Sequence, residues 1–99
     1  MLVTDFARIL LVEDSTDARM TLATILRDAG HTVETAADGL KALAKLDDFR
    51  PDIILTDLRM PGLDGVGLIK QAHERDASII VVLMTADASL ERAVSAMRH

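Results

Sequence analysis

Asp52-Ile53-Ile54-Leu55-Thr56-Asp57-Leu58-Arg59-Met60-Pro61-Gly62-Leu63-Asp64-Gly65 is the stretch on which the reading of this chain turns. Ile53 to Leu55 is a short apolar run rich in β-branched residues, the pattern of a buried strand. The run stops on a carboxylate, Asp57. Met60-Pro61-Gly62 then turns the chain back, and a new helix opens near Asp64. In an open parallel sheet, ligands are met at the carboxyl ends of the strands. An acid there is exposed enough to react and held rigidly enough to be aimed. Most aspartates at such a position do no more than terminate a strand, so the neighbours of Asp57 decide its role.

Upstream, Arg8-Ile9-Leu10-Leu11-Val12 reads as a strand apolar on both faces, followed at once by Glu13-Asp14. Ser15 or Thr16 can cap a helix with Leu22, Ile25, Leu26 and Ala29 at helical spacing, and Gly30 ends it. Residues His31 to Ala36 alternate, which suits a sheet edge. Asp38 caps a second helix with Leu40, Leu43 and Leu46 on one side, ending before Arg50-Pro51.

Downstream, a third helix is expected from about Asp64 to Arg75, with Leu68, Ile69 and Ala72 inward. Ser78 to Met84 is the most hydrophobic strand. Thr85-Ala86-Asp87-Ala88 breaks it, and a fourth helix carries Leu90, Ala93, Val94 and Met97. The strict β-α alternation predicts one α/β domain over residues 1–99, a parallel sheet with helices on both faces.

The 99 residues leave no room for a second domain, and no apolar run approaches the ~20 residues of a membrane span. The absence of cysteine excludes disulfides and thiolate metal sites. A net charge of −5, with Phe6 and Phe49 as the two aromatic residues, argues against direct nucleic-acid binding. A small cytoplasmic protein is the expectation. His31, His73 and His99 are scattered and read as surface residues, and Met20, Met84 and Met97 as core filler. Lys41, Lys45, Asp47 and Asp48 read as a solvated helix face with short-range ion pairs.

Three strand ends carry the polar groups: Glu13-Asp14, Asp57 and Thr85. If the first, third and fourth strands are neighbours, these groups converge on one shallow pocket. Crowded carboxylates repel one another, and a hard divalent cation relieves the repulsion; Mg²⁺ suits carboxylates, waters and phosphate oxygens.

Leu11-Val12-Glu13-Asp14, Asp57-Leu58-Arg59-Met60-Pro61-Gly62-Leu63-Asp64-Gly65 and Met84-Thr85-Ala86 together resemble the receiver domain of bacterial two-component response regulators, from about Arg8 onward. The resemblance implies a flavodoxin-like, doubly wound sheet of strand order 2-1-3-4, four of the family's five βα units. It implies phosphorelay signal transduction: Asp57 would be the phosphoacceptor, taking its phosphoryl group from a sensor histidine kinase or phosphotransfer protein in a Mg²⁺-dependent step. Asp14, Asp57 and the Arg59 backbone carbonyl would ligate the Mg²⁺, with Glu13 acting through water. Thr85 and the Ala86 amide would contact the phosphoryl group and switch an output domain or partner. Arg59 and Asp87 would tune the lifetime of the phosphate. The wording Asp57-Leu58-Arg59-Met60-Pro61 further resembles receivers fused to σ54-dependent transcription activators.

The sequence departs from the family in stopping at His99, without the fifth strand and helix. No lysine stands where the family's phosphoryl-contacting lysine falls; Lys41 and Lys70 lie on helices. Mg²⁺ binding is expected to survive, with phosphorylation and switching impaired, and the fourth strand and fourth helix are expected to self-associate. Two other functions fit less of the pattern. A phosphate-silent interaction module would keep the fold alone. An aspartyl-nucleophile phosphatase of the haloacid-dehalogenase kind would need a second acid where Arg59 stands.

Overall fold

The computed structural model describes residues 6–57 and 62–84. Within them the chain runs β1 (Arg8–Val12), α1 (Thr16–Asp28), β2 (Thr32–Ala36), α2 (Gly39–Phe49), β3 (Ile53–Asp57), α3 (Gly65–Arg75) and β4 (Ile80–Met84). The four strands form one parallel sheet in the order β2-β1-β3-β4. This is the flavodoxin-like order expected. The fourth helix, and with it part of the surface expected to self-associate, lies outside the described residues.

Each helix starts on a side chain that supplies an acceptor to otherwise unpaired amides. Ser15, not Thr16, caps α1 by accepting from the Ala18 amide. Asp38 accepts from Lys41 at the start of α2, and Asp64 from Gly67 at the start of α3. At the far end of α1, Gly30 takes a left-handed φ of 103°. Its amide donates to the Arg27 carbonyl and that of His31 to Leu26, the paired closure that glycine permits.

The sheet separates two cores. On one face Leu10, Val12, Ile54 and Ile79 pack with Ala42, Leu43, Leu46 and Phe49 of α2 and with Leu68 and Ala72 of α3. On the other, Ile9, Leu11 and Val33 pack with Ala23 of α1, flanked by Leu22 and Leu26. Alternation along β1 therefore feeds both cores, and Leu10, Leu11 and Val12 are fully buried. Asp52 gathers the opposite end of the sheet: its carboxylate accepts from the Arg8 amide, its amide donates to the Arg8 carbonyl, and its carbonyl accepts from Ile80.

Several inward assignments are corrected. Leu40 is exposed, because α2 turns Gly39, Ala42, Leu43, Leu46 and Phe49 to the sheet and Leu40 falls outside that arc. Ile25 of α1 and Ala29, which caps its C-terminus, are likewise exposed; Ala23 takes the central place. Met20 is exposed and fills no core. The last strand begins at Ile80, not Ser78, because Asp76 captures both the amide and the hydroxyl of Ser78 in a turn. His31 is half-buried, its Nδ1 accepting from the Ala7 amide. His73 is exposed but bonded through Nε2 to the Ile79 carbonyl. Lys45 makes no ion pair within α2: its ammonium donates to the Thr35 carbonyl and lies 3.7 Å from Glu34. Among the described residues, no helix is long and apolar enough to cross a membrane.

Candidate metal centre and phosphoacceptor site

Register decides what meets at the carboxyl edge of the sheet. Val12 of β1 lies opposite Ala36 of β2 on one side and Thr56 of β3 on the other. The residues that follow, Glu13 and Asp57, therefore leave adjacent strands in the same transverse row. Met84 of β4 is the register partner of Asp57. Buried Thr56 donates its hydroxyl to the Asp57 carbonyl at 3.0 Å, so the backbone that carries the acid is held from within the core.

Glu13, Asp14 and Asp57 each offer a carboxylate oxygen, and these oxygens lie within 4.8 Å of one another. Glu13 and Asp57 are half-buried and Asp14 is exposed, so the cluster opens to solvent on one side. Glu13 Oε2 accepts from the Ser15 amide at 3.1 Å, and the Glu13 amide donates to the Ala36 carbonyl. Burial pushes the Glu13 carboxyl above its ordinary value of 4.5. The Ser15 amide pulls it back, while a hydrogen bond with Asp14 and the charges of Asp57 and Asp14 push it up further. A cation between the three acids would remove the cause of that repulsion. An all-oxygen donor set with no sulfur or imidazole is the kind a hard ion such as Mg²⁺ takes. On these grounds the residues present fit the ion.

Of the residues singled out in the sequence, Glu13, Asp14 and Asp57 are brought together; Arg59, Thr85, Ala86 and Asp87 lie outside the described residues. The sequence reading passed over Arg19, whose guanidinium reaches the backbone of the Glu13–Asp14 turn. The signal for Arg19 is present in the sequence: an arginine about one helical turn after a pair of acids. Gly39, the first residue of α2, packs so tightly that a Cβ there would stand 2.5 Å from the Leu63 carbonyl oxygen.

A parallel sheet of order 2-1-3-4 with three acids at its carboxyl edge defines a class of signalling domain, and comparison with known proteins agrees. Residues 9–99 match the family model described as the response regulator receiver domain, and the chain belongs to that family. Receiver domains serve phosphorelay signal transduction; they work with histidine kinases or phosphotransfer proteins and act on output domains. The chain is 41% identical over 89 residues to the DNA-binding transcriptional regulator NtrC of Salmonella typhimurium, covering 90% of this chain and 19% of that protein. It is 36% identical to sporulation initiation phosphotransferase F of Bacillus subtilis, covering 85% of this chain and 68% of that one. The crystallised chemotaxis protein CheY4 of Vibrio cholerae superposes with a TM-score of 0.83 at 34% identity, over 94% of this chain and 79% of that one. The chain thus spans about a fifth of the length of NtrC.

Proposed function

We propose that Asp57 is the phosphoacceptor of this domain and that Asp14 and Asp57 hold a Mg²⁺ ion, with Glu13 assisting through water. The observation that carries the reading is the convergence of the three carboxylates within 4.8 Å at the edge where β1 and β3 end. One carboxylate oxygen of Asp57 attacks the phosphorus of a phosphohistidine. The new bond joins that oxygen to phosphorus as the bond from phosphorus to the imidazole nitrogen breaks, and its electron pair leaves on the imidazole. Bound Mg²⁺ would supply charge neutralisation to the phosphoryl oxygens. The chain itself supplies alignment: β3 and the Thr56 hydroxyl fix Asp57, and the β1 register sets Glu13 and Asp14 beside it.

The finer roles belong to the same reading. The Arg59 carbonyl would be a further ligand, Thr85 and the Ala86 amide phosphoryl contacts, and Arg59 and Asp87 lifetime-tuning groups. A histidine kinase or phosphotransfer protein is the donor. Similarity to a DNA-binding transcriptional regulator favours an output domain of that kind, σ54-dependent by the wording after Asp57. Self-association through β4 is supported by the exposure of Ile80 and Val82, and light scattering at micromolar concentration tests it.

Incubation with acetyl phosphate and Mg²⁺ followed by intact-mass measurement tests the central role. One added phosphoryl group, absent from Asp57→Asn and from samples in EDTA, is the expected result. No adduct with either acetyl phosphate or beryllofluoride, in a chain extended by the family's fifth βα unit, would move the assignment to a phosphate-silent interaction module.

A further inference from the structure

We infer that Arg19 is a positioning residue for the cation site: its guanidinium fixes the backbone of Glu13 and Asp14 so that both carboxylates meet that of Asp57. The inference rests on the reading of the cluster as a Mg²⁺ site and adds a residue outside the cluster to it. Arg19 lies one turn into α1, and helix geometry sends a long side chain back toward the N-terminus. Its Nη1 donates to the Glu13 carbonyl at 2.8 Å and to the Asp14 carbonyl at 3.5 Å, and its Nη2 to Thr16 Oγ1 at 3.4 Å. Its own amide closes on the Ser15 carbonyl at 2.9 Å. One residue thereby touches each of positions 13 to 16.

The Glu13 carbonyl lies past the last residue of β1 and before the Ser15 cap, where neither regular ladder supplies a donor. Arg19 supplies it. On the other side the Glu13 amide is fixed by the Ala36 carbonyl at 3.1 Å. With donor and acceptor of one residue both anchored, the direction of its Cα–Cβ bond is set, and the peptide that leads to Asp14 is set with it. The charge is spent on carbonyl oxygens. Among the described residues no ion pair joins Arg19 to Glu13, Asp14 or Asp57, so the guanidinium orders the loop without competing for the carboxylates. Groups that orient metal ligands from behind are typically worth 10–100-fold in affinity.

Arg27 provides an internal control. It lies on the same helix and also caps a carbonyl, that of Val33 at 2.9 Å, but none of its hydrogen bonds reaches the acids. The experiment is calorimetric titration of Mg²⁺ into the parent chain and into Arg19→Ala, Arg19→Lys and Arg27→Ala. Arg19→Ala is expected to raise the Mg²⁺ dissociation constant by about 10–100-fold. Arg19→Lys keeps the charge but not the fork and should fall between; it also carries the test if the alanine variant does not fold. Arg27→Ala should bind as the parent does. With acetyl phosphate as donor, the Mg²⁺ concentration for half-maximal phosphorylation should rise in Arg19→Lys while the rate at saturating Mg²⁺ is kept. Parent-like Mg²⁺ affinity in both Arg19 variants overturns the inference while leaving the cation site standing. So does a loss in Arg27→Ala as large as in Arg19→Ala, which would mark a general effect of stability. A parent chain that binds no Mg²⁺ overturns the site reading itself and the role of Arg19 with it.

Discussion

Replacing Asp14 with asparagine should stabilise the metal-free protein and destabilise it relative to the parent once Mg²⁺ is present. The Asp14 carboxylate lies within 4.8 Å of those of Glu13 and Asp57. Two unit charges at that distance repel by about 0.9 kcal/mol at the dielectric of water, so removing Asp14 relieves at most about 1.7 kcal/mol from two neighbours. The water value is the appropriate one because Asp14 is exposed and screened. Against the gain stands the loss of a negative charge just ahead of α1, worth about 0.3–1 kcal/mol. The balance is about 1 kcal/mol of stabilisation, or a rise of ~4–8 °C in Tm for a domain of this size. Thermal unfolding followed by circular dichroism, in EDTA and at low ionic strength, reads it directly. Saturating Mg²⁺ at a hundred times its Kd stabilises the parent by ~2.7 kcal/mol, and the variant, short of one ligand, should gain much less. The order of the two melting temperatures therefore inverts. A variant less stable than the parent in EDTA, or one that gains as much from Mg²⁺, would refute the reasoning.

Three further outcomes follow from the structure. Because burial and like charges raise the Glu13 carboxyl above 4.5, the folded state holds that proton more tightly than the unfolded chain. Its stabilising contribution is complete below about pH 4.5 and is lost as pH rises through the raised value. Mg²⁺ affinity, which needs the carboxylate, should fall as pH drops through the same window; Glu13→Gln should flatten the profile, and an unchanged profile would count against it. Gly39→Ala places a methyl 2.5 Å from the Leu63 carbonyl oxygen on the segment leading out of the site. The overpacking costs about 1–3 kcal/mol, against ~1 kcal/mol of helix preference for alanine, so a Tm above the parent's would contradict the contact. Val33 and Thr35 turn carbonyls to the open side of edge strand β2, where Arg27 and Lys45 cover them. The double variant Arg27→Ala/Lys45→Ala should associate beyond the parent in light scattering, and identical scattering would show that the edge needs no guard.

The parts of this fold that were legible in the sequence share one property: their signal is carried by neighbouring residues. Strand β3 ends on an acid and β1 runs straight into two, and those strand ends locate the cluster without any knowledge of register. What the residues alone left open was whether β1 and β3 are neighbours; that order came from resemblance, and the Val12–Thr56 pairing supplies it physically. Helix faces were read less well. Leu40, Leu43 and Leu46 lie three apart, and steps of three drift about 60° each round a helix of 3.6 residues per turn. Leu40 thus ends roughly 120° from Leu46 and outside the buried arc, which Gly39, Ala42 and Phe49 complete. Two of the five residues in that arc, Gly39 and Ala42, are small and weigh little in a hydrophobic pattern. Arg19 escaped notice for a related reason: its partners are backbone carbonyls, which every sequence has and none displays.

Diffraction from crystals grown with Mn²⁺ in place of Mg²⁺, using its anomalous signal, tests most directly whether the acids at the ends of β1 and β3 share one cation. A single strong peak is expected at coordination distance from carboxylate oxygens of Asp14 and Asp57, with Glu13 close enough to reach it through water. No peak at that edge of the sheet, or Asp14 and Asp57 side chains turned away from each other around a Mn²⁺ bound elsewhere, would contradict it.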